Sequence, residues 1–142
     1  MKLRALTMTA LTVLSAVLLP LATTPAAWAA GPLKCRKVHG AFPGAEIDGT
    51  LCEGHYWTVK GWVKDTAADK HEAVFRIRYV TPDDMIPWHE QTFTQDVAST
   101  KGKPAGFVKR FEATFAGTAH DLVAQPCIFN GNDGRICDKK WY

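Results

Sequence analysis

The segment from Tyr56 to Val80 places the tightest limit on how this chain can fold. Tyr56 to Asp65 and His71 to Val80 both alternate apolar and polar residues and are rich in β-branched and aromatic types, while Thr66-Ala67-Ala68-Asp69-Lys70 between them is small and polar. That pattern predicts a β-hairpin. With the turn centred near Ala68, facing residue numbers sum to about 136, and the parity of both strands then agrees along the pair. One face carries Trp57, Val59, Gly61 and Val63 against Ala73, Phe75, Ile77 and Tyr79, and belongs in a core. The other carries Tyr56, Thr58, Lys60, Trp62 and Lys64 against Glu72, Val74, Arg76, Arg78 and Val80. A core rejects that mixture of rings and cations, because buried charge without partners is costly. It must meet solvent, a partner or the edge of another layer.

The N-terminus has a short basic start (Lys2, Arg4), an apolar run from Leu11 to Leu21 interrupted by Pro20, and small residues at Ala27-Trp28-Ala29. This predicts a signal peptide over residues 1–29, cleaved after Ala29. The run is too short for a transmembrane helix, which needs about 20 apolar residues. Removing 29 of the 142 residues leaves 113, so residues 30–142 form a single secreted β domain. Lys2 and Arg4 leave with the leader, taking 17 basic side chains to 15 against 14 acidic ones. So small a net charge points to no nucleic-acid and no membrane partner. A monomer is expected. All four cysteines lie in the mature part, in a compartment where disulfides persist. Cys35 with Cys52 and Cys127 with Cys137 are the expected pairs, since each flanks a turn-rich segment. A zinc site would need Cys-x-x-Cys spacing or histidines at regular offsets, and the chain has neither.

Gly31 to Glu53 is rich in turn residues and reads as an N-terminal arm stapled by its own disulfide. Thr81-Pro82-Asp83-Asp84 has turn chemistry. Trp88 to Val97 reads as a strand whose weak alternation suits an edge or one strongly solvated face, with Phe93 and Val97 inward. Ala98 to Gly106 holds no large apolar residue and is a loop. Phe107 to Phe115 alternates as a strand, although Phe111 and Phe115 also fit helical spacing. His120 to Phe129 is the last long strand, and Asn130-Gly131-Asn132-Asp133-Gly134 reverses the chain so that Ile136 and Cys137 return beside it. Short strands between turn signals predict an all-β, disulfide-stabilised antiparallel sandwich or small barrel.

The chemistry-bearing residues form no catalytic motif. His71-Glu72, His89-Glu90 and His120-Asp121 are neighbours that point to opposite faces of a strand. Gly-x-Ser-x-Gly, His-Glu-x-x-His and phosphate-binding glycine loops are absent from the sequence. Asp83 and Asp84 read as turn formers. Asn130, Asn132, Asp133 and Asp138 match a calcium loop poorly, because Gly134 stands where a ligand is needed. No metal or cofactor is expected. The outward face of the hairpin carries the functional expectation. Tyr56, Trp62, Arg76 and Arg78 lie together there, with Arg76 diagonal to the indole, and aromatic and Arg side chains dominate binding hot spots. This predicts a non-catalytic binding protein whose partner is an extracellular protein or a cell-wall polysaccharide. The alternatives are an inhibitor of an extracellular hydrolase and a small extracellular hydrolase.

Gly61-Trp62-Val63-Lys64-Asp65-Thr66-Ala67-Ala68-Asp69 and Ala73-Val74-Phe75-Arg76-Ile77-Arg78-Tyr79 resemble small secreted proteins of high-GC Gram-positive bacteria such as Streptomyces. The layout of leader, few cysteines, Trp-containing strand and Asp-x-x-Ala-Asp turn carries the resemblance over residues 50–80. It implies an extracellular β domain and no assigned activity. The disulfide-bonded amylase inhibitors of such bacteria are similar in general plan only, since their Trp-Arg-Tyr segment is missing and the cysteine spacing differs.

Overall fold

A computed structural model describes residues 33–142 apart from 84, 87, 132 and 133, so the predicted leader over 1–29 lies outside the described residues. The described chain is all-β and antiparallel, with six strands: β1 (Lys34–Phe42), β2 (Ala45–Asp65), β3 (Glu72–Pro82), β4 (Glu90–Ser99), β5 (Val108–Phe129) and β6 (Arg135–Cys137). Their order is β1-β2-β5-β3-β4, with β6 on the other side of β5, and the sheet does not close on itself. The result is a folded-over sheet of sandwich form.

The inward face predicted from alternation is the core. Trp57, Val59, Val63, Ala73, Phe75 and Ile77 are buried in one cluster with Val38, Ile47, Leu51 and Leu122. Trp57 stacks on its cross-strand partner Phe115 of β5 at 3.9 Å and meets Tyr79 of β3 at 4.6 Å, the second contact joining strands that share no hydrogen bonds. Phe111 and Phe115 lie on a strand that runs without a break from Val108 to Phe129, with no helical turn.

The pairing, however, departs from the predicted hairpin. β2 and β3 are not hydrogen-bonded to each other. Both pair with β5: β2 from Gly54↔Ala119 to Lys64↔Val108, and β3 from Glu72↔Phe129 to Val80↔His120. Alternation reports which face of a strand is buried and is blind to which neighbour lies at its edge, so the inward face came out right and the partner wrong, and Val74, expected outward, is buried. The strand switch occurs between Ala119 and His120, where Gly117 (φ 97°) and Asp121 (φ 52°) bend β5 through the left-handed region.

The turn-rich N-terminal segment is likewise more ordered than an arm. β1 and the first half of β2 form a regular hairpin around Pro43-Gly44, in which Cys35 stands directly opposite Cys52. The second bridge has the same form, Cys127 opposite Cys137 on β5 and β6. Both predicted disulfides are present.

β2 bends at a register shift between Gly54 and Tyr56, and its two halves then return into backbone contact. A Cβ built on Gly49 would lie 2.6 Å from the Lys60 carbonyl oxygen and 3.3 Å from the Gly61 Cα, and one built on Gly61 would collide with the Asp48 carbonyl oxygen. Glycine is needed here for close approach of backbone to backbone rather than for an unusual φ.

Gly61→Ala is therefore expected to cost about 3 kcal/mol, at the upper end for overpacking because the obstructing atoms are main chain. Gly102→Ala, at φ 66° in a loop with nothing within 4 Å, should cost only the left-handed penalty of about 1 kcal/mol. Urea titrations of the two variants check this, and equal losses would show that the Gly49–Gly61 contact is not limiting.

Candidate functional site

The four residues expected to share a binding face are divided by the strand order. Tyr56 and Trp62 project from β2, and Arg76 and Arg78 from β3, on different layers with the core between them. Tyr56 is exposed at the β2 bend, its ring edge-on to His55 at 5.2 Å. Trp62 is half-buried opposite Arg110, above a shallow groove of about 370 Å³ crossed by the Lys60–Glu112 ion pair at 3.1 Å. No cation from β3 reaches that indole, so the predicted Trp62–Arg76 juxtaposition is corrected.

Arg76 is engaged in structure. Its Nε lies 3.9 Å from Asp96 Oδ1 and its Nη1 3.9 Å from the Cys137 Sγ, while Arg135 also pairs with Asp96. Two arginines sharing one carboxylate tie β3, β4 and β6 together at the Cys127–Cys137 bridge.

Arg78 alone enters a sizeable concavity. Its guanidinium carbon stands 4.7 Å from the centre of the Trp141 ring, within cation–π range. The two lie in a cleft of about 740 Å³ lined also by Lys34, Arg36, Glu53, Asp121 and Tyr142. Arg36 donates to the carbonyl oxygens of Leu122 and Tyr142, and Glu53 accepts from the Leu122 N–H at 3.0 Å, so both hold β1 and β2 against β5. Lys34, Arg78, the Trp141 ring and the exposed Asp121 carboxylate are the groups left to face a ligand, two cations against one anion.

Trp141 went unnoticed in the sequence because it follows the last strand signal. The legible clue was Cys137: once bridged to Cys127, it forces the next residues to run along β5. They do so with Tyr142 and Ala124 exchanging backbone hydrogen bonds at 2.8 and 3.0 Å. The tail is locked by the Tyr142 hydroxyl, which donates to Asp138 Oδ2 at 2.7 Å. This bond, with the Lys140 N–H also donating to the carboxylate, lowers the Asp138 pKa from 3.8, and the same bond raises that of Tyr142 from 10.0.

The histidine–carboxylate neighbours behave differently from expectation at one position. Positive φ at Asp121 breaks the strand alternation, so Asp121 Oδ2 reaches the His120 Nδ1 at 3.2 Å, while Glu90 of β4 meets the Nε2 at 3.1 Å. Adjacent residues therefore do converge here. Both ring nitrogens face carboxylates, one from β5 and one from β4. The cluster acts as a clasp between β4 and β5. Among the described residues no three His, Cys, Asp or Glu side chains gather as a metal centre. No protein-family model, no curated protein and no solved structure matches the chain.

The tail lock should fail at both ends of the pH scale. A depressed Asp138 pKa adds stability that is present above 3.8 and is lost as pH falls through the folded value. A raised Tyr142 pKa adds stability that is present below 10.0 and is lost as pH rises through the folded value. Trp141 fluorescence, isolated by difference from Trp141→Phe, should change in these two windows, and Tyr142→Phe should abolish the alkaline one. An unchanged alkaline transition in Tyr142→Phe would refute the lock.

Proposed function

We propose that this chain is an exported, non-catalytic binding protein that takes an acidic cell-wall polysaccharide in the cleft beside Arg78. One observation carries the reading: a guanidinium stacked on an indole inside a cleft of about 740 Å³. An aromatic ring offers a flat apolar surface to a sugar face, and the guanidinium edge that remains free suits a carboxylate. Lys34 adds a second cation at the cleft rim. Stacking also holds Arg78 in one orientation before a ligand arrives, which reduces the ordering cost of binding. Two disulfides fit an oxidising compartment, and export by the leader over 1–29 belongs to the same proposal.

Calorimetry against a uronic-acid polymer and a neutral glucan tests it. The acidic polymer should bind and the neutral one should not. Arg78→Ala and Trp141→Ala should each weaken binding about tenfold, equivalent to ~1.4 kcal/mol, while Trp62→Ala on the other layer leaves it unchanged. Equal binding of both polymers, or loss of binding in Trp62→Ala alone, would reject this cleft as the site. Recovery of a chain beginning near Ala30 from culture medium tests the export step.

A further inference from the structure

The β3–β4 connection displays more apolar surface than any requirement of the fold explains. Met85 is 90% exposed and Trp88 87%, with Ile86 beside them. The tip is nevertheless held firmly. Asp83 Oδ1 accepts from the N–H groups of Met85 (2.8 Å) and Ile86 (3.3 Å), and Oδ2 from the Gln91 side chain (2.7 Å). The Asp83 N–H donates to the His89 carbonyl at 2.8 Å. A fixed projection bearing Trp and Met is the form of an interface anchor.

The strand that follows this tip is an open edge. β4 ends the strand order and is hydrogen-bonded to β3 alone. Sheet edges are normally guarded by Lys, Pro or a covering segment. The opposite edge, β1, is guarded in that way: it carries Lys34, Arg36 and Lys37, and Arg36 ties it to β5 and the C-terminal tail. β4 has neither Lys nor Pro; its one bulge, at Val97, lies at the far end of the strand, and Thr92 and Thr94 before it are exposed.

We infer that two copies of this chain pair antiparallel along β4, in place of the monomer expected from the sequence. Strand addition at an open edge supplies main-chain hydrogen bonds, and a twofold axis closes the assembly as a dimer. An axis at Phe93 would set Glu90 opposite Asp96, a like-charge pair. Moved to Thr94, it sets Thr94 opposite its own copy, Phe93 opposite Gln95 and Thr92 opposite Asp96. The same register carries each tip alongside residues 98–101 of the other copy. A groove of about 410 Å³ lies there, with Val97, Ala98 and Phe129 for the apolar tip and the cations Lys101 and Arg135 balanced by Glu72 and Asp96 around it. Groove and tip lie at opposite ends of the same strand, as reciprocal docking about a twofold axis requires.

Sedimentation velocity of the disulfide-bonded chain across a wide concentration range tests the pairing. The expected result is a doubling of mass as concentration rises, with Trp88→Ala weakening association at least tenfold and leaving the melting temperature unchanged. Thr94→Lys and Thr94→Glu should each be monomeric, because like charges then face each other at the axis, and an equimolar mixture of the two should dimerise. A wild-type chain that stays monomeric, a Thr94→Lys dimer as tight as wild type, or a mixture that fails to associate would overturn the inference. So would a monomeric chain whose binding to neutral phosphatidylcholine vesicles is abolished by Trp88→Ala, since the tip would then serve a bilayer.

Discussion

Everything in this fold depends on β2 crossing itself. Because the Gly49 and Gly61 backbones touch, the two halves of one strand occupy both sides of the same apolar cluster, and Ile47 and Leu51 from the first half pack with Trp57, Val59 and Val63 from the second. Two side-chain hydrogens rather than two methyl groups at that point decide how close the layers come. Protein interiors tolerate little error in such spacing, since packing is dense and poorly compressible. The distance between the layers in turn sets whether Trp57 can stack on Phe115 while still reaching Tyr79.

β5 supplies the other half of the architecture. By bending at Gly117 and Asp121 it serves β2 over one stretch and β3 over the next, and so joins layers that β2 and β3 do not join directly. The bend has chemical effects as well. It turns Asp121 toward the cleft, brings it to His120, and through Glu90 fixes the base of the β3–β4 projection.

Much of this was legible in the residues, in a way that divides along physical lines. The period of two along Trp57 to Val63 and Ala73 to Tyr79 records burial, and burial was read correctly except at Val74, expected outward and buried against β4 and β5. The paired cysteines record local geometry, and both bridges were read correctly. β4 was read from its weak alternation as an edge or a strand with one strongly solvated face, and the edge is where it lies. Long-range partner choice leaves no such local trace: a short polar connection between two alternating strands, as at Thr66 to Lys70, looks the same whether the strands pair at their edges or pack face to face. Hence Arg78 was expected to share a face with Trp62, when its aromatic neighbour is Trp141, 63 positions later in the chain. The convergence of His120 and Asp121 was hidden for a related reason, because a positive φ at an aspartate is set by the bend of the whole strand and not by the residue itself.

The two disulfides bear on the order of assembly. Each links strands that are also sequence neighbours, with separations of 17 and 10 residues, so either can close as soon as its own hairpin forms. Neither spans the junctions of β5 with β2 or β3, where the contacts are distant in sequence. Until residues 108–129 are available, β2 and β3 are strands without their central neighbour, and the late loop closure that supplies it is the slow kind of contact formation. The two bridges therefore place no constraint on how β5 meets β2 and β3, and the joining of the layers rests on packing and backbone pairing alone.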